Sequence, residues 1–124
     1  MRNRAAGRRL VLACAVVLSV AFAAAAYGAT PAESYAKKCR KCHGEDGTGN
    51  GPAAAVLDVH PGNFTDCAKM ASHDHDYFVK IITEGGKAVG KSEQMPAHKN
   101  KLSAEEIDAL ATYVATHFCP QGSP

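Results

Sequence analysis

The sequence lacks an excess of charge of either sign. Its 124 residues include 14 lysines and arginines against 12 aspartates and glutamates, a formal net charge of +2. The segment 1–28 holds four of the basic residues and none of the acidic ones, so residues 29–124 carry ten basic and twelve acidic residues, a net charge of −2. Because nonspecific nucleic-acid binding depends on clustered positive charge, this balance argues against a nucleic-acid-binding protein.

The sequence also lacks any segment that predicts a β-strand, and it contains no internal repeat. A chain of 124 residues is long enough for one small domain and too short for two. An apolar core of that size is modest, so something besides packing is expected to reinforce it. The fold class that remains is an all-α domain.

The longest apolar run lies near the N-terminus. Arginines within residues 2–9 precede the largely apolar segment Leu10–Ala26, which is the pattern of a secretory signal peptide. Small residues at Ala26 and Gly28 favour cleavage after Gly28, or else after Ala26, which predicts residues 1–28 as a signal peptide and 29–124 as an exported, periplasmic domain. The run is also marginally long enough for a membrane anchor, so an uncleaved helix is the alternative.

Helical patterns occupy much of the remaining chain. The segment ATPAES, residues 29–34, combines a threonine N-cap, a proline at the first helical position and a glutamate three residues after the cap, which predicts a helix start. Apolar residues at helical spacing predict a helix over 74–84 that ends at the glycines 85–86, and a second capping box at 103–106 predicts the last helix. The loops between them are long, so we expect them to pack on an internal partner.

The segment CRKCH, residues 39–43, places Cys39, Cys42 and His43 together. A thioredoxin-like pair would follow a strand and begin a helix, whereas this pair ends a predicted helix. A structural zinc site commonly takes two separated cysteine pairs, and the sequence has no second Cys-x-x-Cys. Covalent haem needs two thiols one helical turn apart for its vinyl groups and an imidazole beside them for the iron. Cys-x-x-Cys-His meets these requirements and is the c-type haem attachment signature.

A haem iron held by His43 needs two further groups around it. The second ring nitrogen of His43 requires a hydrogen-bond acceptor, and the carbonyl of Pro52, at the end of the glycine-rich loop 44–52, is the candidate. The candidate for the sixth iron position is Met95, because it lies in a loop that the following proline stiffens. Met70 and His98 are weaker candidates: methionine is more often a core residue than a ligand, and His98 lies too close to Met95 for both to bind the iron.

With these motifs the sequence resembles the class I c-type cytochromes, particularly small bacterial monohaem cytochromes and the haem domains of respiratory oxidase subunits. The likeness extends over residues 30–118 and rests on the segments CRKCHG, GNGP, NFTD, QMP and LSAEEIDALATYV, in that order. The resemblance implies the cytochrome c fold, with three to five helices and long loops wrapped around one covalently bound haem. It implies haem thioethers at Cys39 and Cys42, axial iron ligands at His43 and Met95, and the Pro52 carbonyl as acceptor for the proximal histidine.

Within residues 29–124, two cysteines remain after the attachment motif is assigned. In an oxidising compartment free thiols rarely persist, so Cys67 and Cys119 are predicted to form a disulfide. A closed loop of about fifty residues stabilises a small domain by about 4 kcal/mol in the chain-entropy model. Four further histidines, His60, His73, His75 and His117, are interpreted as surface residues, and the segment SHDHD at 72–76 as a solvated helix start rather than a metal site.

Function follows from the ligand set. Two protein ligands leave no iron position open for a substrate, which predicts a soluble periplasmic electron carrier and not an enzyme. The alternatives are a haem subunit of a membrane dehydrogenase or oxidase, and a haem enzyme or gas sensor with a labile sixth ligand.

Basic residues flank both predicted haem-binding segments, and the resemblance places these segments at the exposed haem edge. They predict a docking face for acidic redox partner proteins, although such residues also serve simply to solvate a surface. Membrane contact is expected only if the N-terminal helix is uncleaved. The basic residues are Lys37, Lys38, Arg40, Lys41, Lys87, Lys91, Lys99 and Lys101.

Overall fold

The computed structural model describes residues 28–120, so the predicted signal peptide, residues 1–28, lies outside the described residues except for Gly28. The described part contains five α-helices and no strand, and two short 3-10 turns, Ala54–Val56 and Gly86–Val89. The all-α prediction is confirmed. The helices are α1 Pro31–Lys38, α2 Arg40–His43, α3 Cys67–Met70, α4 His75–Glu84 and α5 Ala104–His117.

Both predicted capping boxes are present. The Thr30 side chain accepts from the backbone N–H of Glu33, whose carboxylate accepts from the backbone N–H of Thr30. Ser103 and Glu106 make the same reciprocal pair at the start of α5. Each box satisfies backbone donors that have no partner within the helix, so the local sequence fixes where both helices begin.

The core lies between α1, α4 and α5. Leu110 and Ala111 of α5 are fully buried, and Phe78 and Ile82 of α4 are nearly so. Tyr35 of α1 reaches across to α5, where its ring centroid lies 5.8 Å from that of Tyr113. Burial of these large side chains is the main favourable contribution to folding, and it fixes α1 and α4 against α5.

A disulfide joins α3 to the end of the chain. Cys67 and Cys119 are bonded in the structure, with their Cα atoms 5.5 Å apart. Cys119 is almost fully buried. The bridge closes the long connection between the glycine-rich loop and α4 onto the C-terminal end of α5. Among residues 28–120, no helix has the length and hydropathy needed to span a bilayer.

Candidate haem-binding site

A large cavity of about 580 Å³ opens between the α1–α2 junction and the loop that follows α4. Cys39, Cys42 and His43 lie on one side of the lining, and Met95 also contributes to it. Ten of the other lining residues have apolar side chains. They are Leu57, Val59, Pro61, Phe64, Met70, Phe78, Ile81, Ile82, Pro96 and Val114.

The two cysteines of the motif are placed by a break between α1 and α2. Cys39 ends α1, and its carbonyl accepts from the N–H groups of Cys42 and His43, at 3.1 and 2.9 Å. Both side chains are partly buried free thiols that line the cavity. Burial, with a smaller contribution from Cys42, raises the pKa of the Cys39 thiol to about 12.

The imidazole of His43 is held by a backbone carbonyl and an aromatic ring. Its Nδ1 lies 3.0 Å from the Gly62 carbonyl oxygen, and its ring stacks on Phe64 with centroids 4.4 Å apart. Because a carbonyl only accepts, Nδ1 carries the proton and Nε2 presents its lone pair. Burial lowers the pKa of His43, against the smaller opposing effect of the Gly62 bond. His43 is therefore a neutral imidazole in the tautomer that a metal ion requires.

The acceptor for His43 corrects the prediction made from the sequence, which named the Pro52 carbonyl. The glycine-rich loop folds back on α2, with the Gly51 N–H donating to the Cys42 carbonyl and the Ala53 N–H to the Lys41 carbonyl. A Cβ on Gly51 would collide with the carbonyl of Lys41. This close approach leaves Pro52 exposed and outside the cavity lining, so the role predicted for it belongs to Gly62.

Met95 reaches the cavity from the loop after α4. Its carbonyl accepts from the Gly86 N–H at 3.0 Å. The glycine pair 85–86 makes room for this approach, because a Cβ on Gly85 would lie 2.9 Å from the Met95 carbonyl oxygen. The two weaker candidates for the sixth position, Met70 and His98, also line the cavity and are more deeply buried than Met95.

Three of the four histidines interpreted as surface residues are exposed. They are His60, His75 and His117, and His60 also borders the cavity. His73 is partly buried, lines the cavity and stacks on Tyr77 with centroids 3.8 Å apart. In the SHDHD segment, Asp74 caps α4 by accepting from the Tyr77 N–H at 2.9 Å.

Comparison with known families agrees with this geometry. Residues 26–114 match the model of the family described as cytochrome c oxidase, cbb3-type, subunit III. The chain belongs to this family. It is a small class I c-type cytochrome, and one covalently bound haem c is its cofactor.

Relatives of this cytochrome include an oxidase subunit and a small cytochrome. It is 37% identical over 97 residues to the cbb3-type cytochrome c oxidase subunit FixP of Azorhizobium caulinodans, and this match covers 74% of the chain but only 29% of FixP. It is 33% identical over 85 residues to cytochrome c-553 of Desulfomicrobium norvegicum, covering 68% of the chain and 92% of that protein.

A solved structure has the same fold. The KustC0563 c-type cytochrome superposes with a TM-score of 0.58 at 28% identity, covering 73% of this chain and 98% of that one. The all-α cytochrome c fold is therefore established.

The residues around the cavity fit the haem of a c-type cytochrome. The cavity is large and mainly apolar, as a macrocycle requires, and two thiols and one neutral imidazole converge on it from a single turn. Sequence reasoning found these three residues and Met95 but missed Gly62 and Phe64. The segment HPGN, residues 60–63, contained a signal for Gly62, because proline and glycine there predict a turn. Such a turn can direct a backbone carbonyl towards α2.

Proposed function

We propose that this cytochrome is a periplasmic electron carrier whose haem iron is bound by His43 and Met95. The observation that carries the proposal is that one cavity collects Cys39, Cys42, His43 and Met95, although Met95 lies in a separate loop far along the chain. The haem supplies reversible one-electron chemistry when bound. Around it, Cys39 and Cys42 provide the covalent anchors, and His43 presents Nε2 because Gly62 holds the proton at Nδ1.

The side chains around the site favour transfer of electrons over transformation of a substrate. Ligation by both His43 and Met95 would leave the iron no open position, and the Met95 thioether would favour the reduced state. Apolar side chains such as Phe78 and Ile82 exclude water from the haem faces. We therefore propose that the protein is not an enzyme. Binding of carbon monoxide by the unmodified reduced protein would instead support an enzyme or sensor with a labile sixth ligand.

The first experiment is a visible spectrum of the purified protein, oxidised and reduced, followed by a spectrum in alkaline pyridine. We expect a c-type haemochrome and, in the oxidised protein, a methionine-to-iron charge-transfer band. Substitution of Met95 by alanine should abolish that band, while Met70→Leu should retain it. A band that survives in the Met95 variant and is lost in the Met70 variant would move the sixth ligand to Met70.

The basic residues near the cavity support a docking face for acidic redox partners. Lys38 and Lys91 line the cavity itself and are exposed. Two of the other lysines are neutralised in part, since Lys87 pairs with Glu93 at 2.9 Å and Lys99 with Glu84 at 2.6 Å. Lys38 and Lys91 are therefore the part of the predicted face that lines the cavity, and Lys69 is a further exposed lysine in the lining.

Small ionic reagents test the docking face without a known partner. Electron transfer with the hexacyanoferrate anion should slow as salt rises, because screening weakens its attraction to the face. Electron transfer with a cationic cobalt complex should show the opposite dependence. Changing Lys38 and Lys91 to glutamine should flatten the salt dependence for hexacyanoferrate, and changing Lys80, which lies outside the cavity lining, should leave it unchanged. Equal salt dependence in both variants would contradict the proposal.

A haem subunit of a membrane oxidase is the second candidate, and the similarity to FixP favours it. The chain spans 29% of the length of FixP, so that protein's assembly carries over only as a hypothesis. The two candidates differ in the fate of the N-terminal segment. A mature protein that begins at Ala29 and is released with the periplasmic fraction supports the carrier. Retention of residues 1–28 in the membrane fraction, together with an oxidase complex, supports the subunit.

A further inference from the structure

His98 is a buried histidine with no assigned role. It is only 5% exposed and lines the haem cavity. Its Nδ1 is buried without a hydrogen-bond partner, and no side-chain hydrogen bond of His98 is present within residues 28–120. A buried polar atom without a partner is costly, and such atoms in native proteins usually have a redox, catalytic or ligand-binding explanation.

The backbone of His98 is held independently of Met95. Its N–H donates to the Ile82 carbonyl at 3.0 Å, and its carbonyl accepts from the N–H groups of Lys101 and Leu102 at 2.8 and 3.0 Å. The Met95 carbonyl is fixed elsewhere, by the Gly86 N–H. The imidazole of His98 therefore stays at the cavity wall if the Met95 side chain moves away.

The surroundings of His98 keep its imidazole neutral. Burial first, and then the positive charges of Lys101 and Lys38, lower its pKa. A neutral imidazole carries a proton on one nitrogen and a lone pair on the other, which is the form that binds iron.

The other histidines that line the cavity are engaged in contacts. Nδ1 of His60 lies 2.8 Å from the Pro61 carbonyl oxygen, and its Nε2 lies 3.2 Å from Oδ1 of Asn50. His73 is stacked on Tyr77. His43 is bound to Gly62 and belongs to the attachment motif. Within the described part of the chain, His98 is thus the cavity-lining histidine whose ring has neither a hydrogen bond nor a stacking partner.

We propose that His98 is a latent ligand of the haem iron, which occupies the sixth position when the Met95 thioether leaves it. The inference rests on the proposed function, because it takes Met95 as the resting ligand. In the exchange the iron–sulfur bond breaks and an iron–nitrogen bond forms. The iron keeps its oxidation state, and no proton is released because the second ring nitrogen retains its hydrogen. The iron stays closed to external ligands, and its potential falls because the thioether that favours reduced iron has gone.

Substitution of Met95 by alanine forces the exchange and tests it. We expect the oxidised Met95→Ala protein to lose the methionine charge-transfer band, remain low-spin and have a lower potential, and the reduced protein to bind no carbon monoxide. Adding His98→Phe should make the iron high-spin and open to carbon monoxide. Adding His98→Gln should do the same while keeping a polar side chain there. The matched control, Met95→Ala with His73→Phe, should resemble Met95→Ala alone.

Two results would overturn the proposal. One is high-spin iron that binds carbon monoxide in the Met95→Ala protein, in which His98 is intact. The other is low-spin iron in both double variants, Met95→Ala with His98→Phe and Met95→Ala with His98→Gln. Far-ultraviolet circular dichroism checks that each variant keeps its helices. Failure of the proposed function is distinguishable, because it appears in the unmodified protein as absence of the methionine band before any substitution is made.

Discussion

Tyr35 connects the core to the loop that follows the haem attachment motif. It is 3% exposed, and its hydroxyl donates to the Gly44 carbonyl at 2.7 Å. Burial, with smaller contributions from Cys39, Tyr113 and Asp46, raises the pKa of Tyr35, so the hydroxyl remains a donor. We expect Tyr35→Phe to lower the free energy of unfolding by about 1 kcal/mol, the usual net contribution of such a bond.

Urea unfolding followed by circular dichroism measures that effect. Tyr113→Phe is the matched control, since Tyr113 packs on the Tyr35 ring and its hydroxyl makes no hydrogen bond among the described residues. It should change stability by much less. Equal losses in the two variants would show that the bond to Gly44 contributes nothing specific.

His98 also makes stability depend on pH. Its pKa in the folded protein is lowered from 6.5, chiefly by burial, so the folded state prefers the neutral ring and the unfolded state binds the proton first. The contribution of neutral His98 to the free energy of unfolding is fully present above pH 6.5. It is lost as the pH falls from 6.5 towards the lower pKa that His98 has in the folded protein. We expect His98→Phe to lose less stability on acidification. Urea midpoints well above and well below pH 6.5 test this, and equal pH dependence would contradict it.

At the level of residues, the sequence predicted the haem-binding positions at which binding requires a particular side chain. The spacing of Cys39, Cys42 and His43 and the position of Met95 led to residues that share one cavity. The prediction that the Pro52 carbonyl accepts from His43 was wrong, because any residue can supply a backbone carbonyl and the side chain at that position gives no signal. Which carbonyl approaches Nδ1 depends on the path of the loop, and here the loop brings the Gly62 carbonyl oxygen within 3.0 Å of Nδ1.

At the level of elements, the loop after α4 places Met95. Gly85 has a φ of +86°, and a Cβ there would lie 2.9 Å from the Met95 carbonyl oxygen and 3.0 Å from the Ala97 nitrogen. We expect Gly85→Ala to displace this loop and abolish the methionine charge-transfer band of the oxidised protein. Gly90→Ala is the control: Gly90 also has a positive φ, +72°, but a Cβ there meets nothing within 4 Å. It should destabilise the protein by about 1 kcal/mol and keep the band. An intact band in Gly85→Ala would show that the loop tolerates the collision.

The helices themselves were the most predictable elements. The caps of α1 and α5 are encoded by side chains within four residues of each helix start, so local sequence decides them. The break at Cys39, which separates α1 from α2, was not predicted. Local sequence does not mark it, because Cys39 keeps a helical conformation (φ −117°, ψ −43°) and its N–H still donates to the Tyr35 carbonyl.

At the level of the whole molecule, the fold has a small core and two covalent reinforcements. The buried apolar side chains lie mainly in α1, α4 and α5. The long segment between α2 and α4 lines part of the cavity and contains only one 3-10 turn and the short helix α3. Thioethers at Cys39 and Cys42 would attach the chain to the haem just before this segment begins. The Cys67–Cys119 disulfide attaches α3, near the end of the segment, to the C-terminal end of α5. Such bracing suits an electron carrier, whose iron environment must change little between oxidation states.

The disulfide stabilises the fold by restricting the unfolded chain. Cys67 and Cys119 are separated by 52 positions, and cross-linking a loop of that length removes unfolded-state entropy worth about 4 kcal/mol in the chain-entropy model. We expect the double change Cys67→Ser and Cys119→Ser to lose up to about that amount, and less if the covalent haem already restricts the unfolded chain. The control is urea unfolding of the parent and the variant, each with and without a disulfide reductant and with the haem iron reduced in every sample. Reductant should lower the stability of the parent to that of the variant and leave the variant unchanged. If both thiols of the native parent react with a maleimide in the absence of reductant, the bridge does not form in solution.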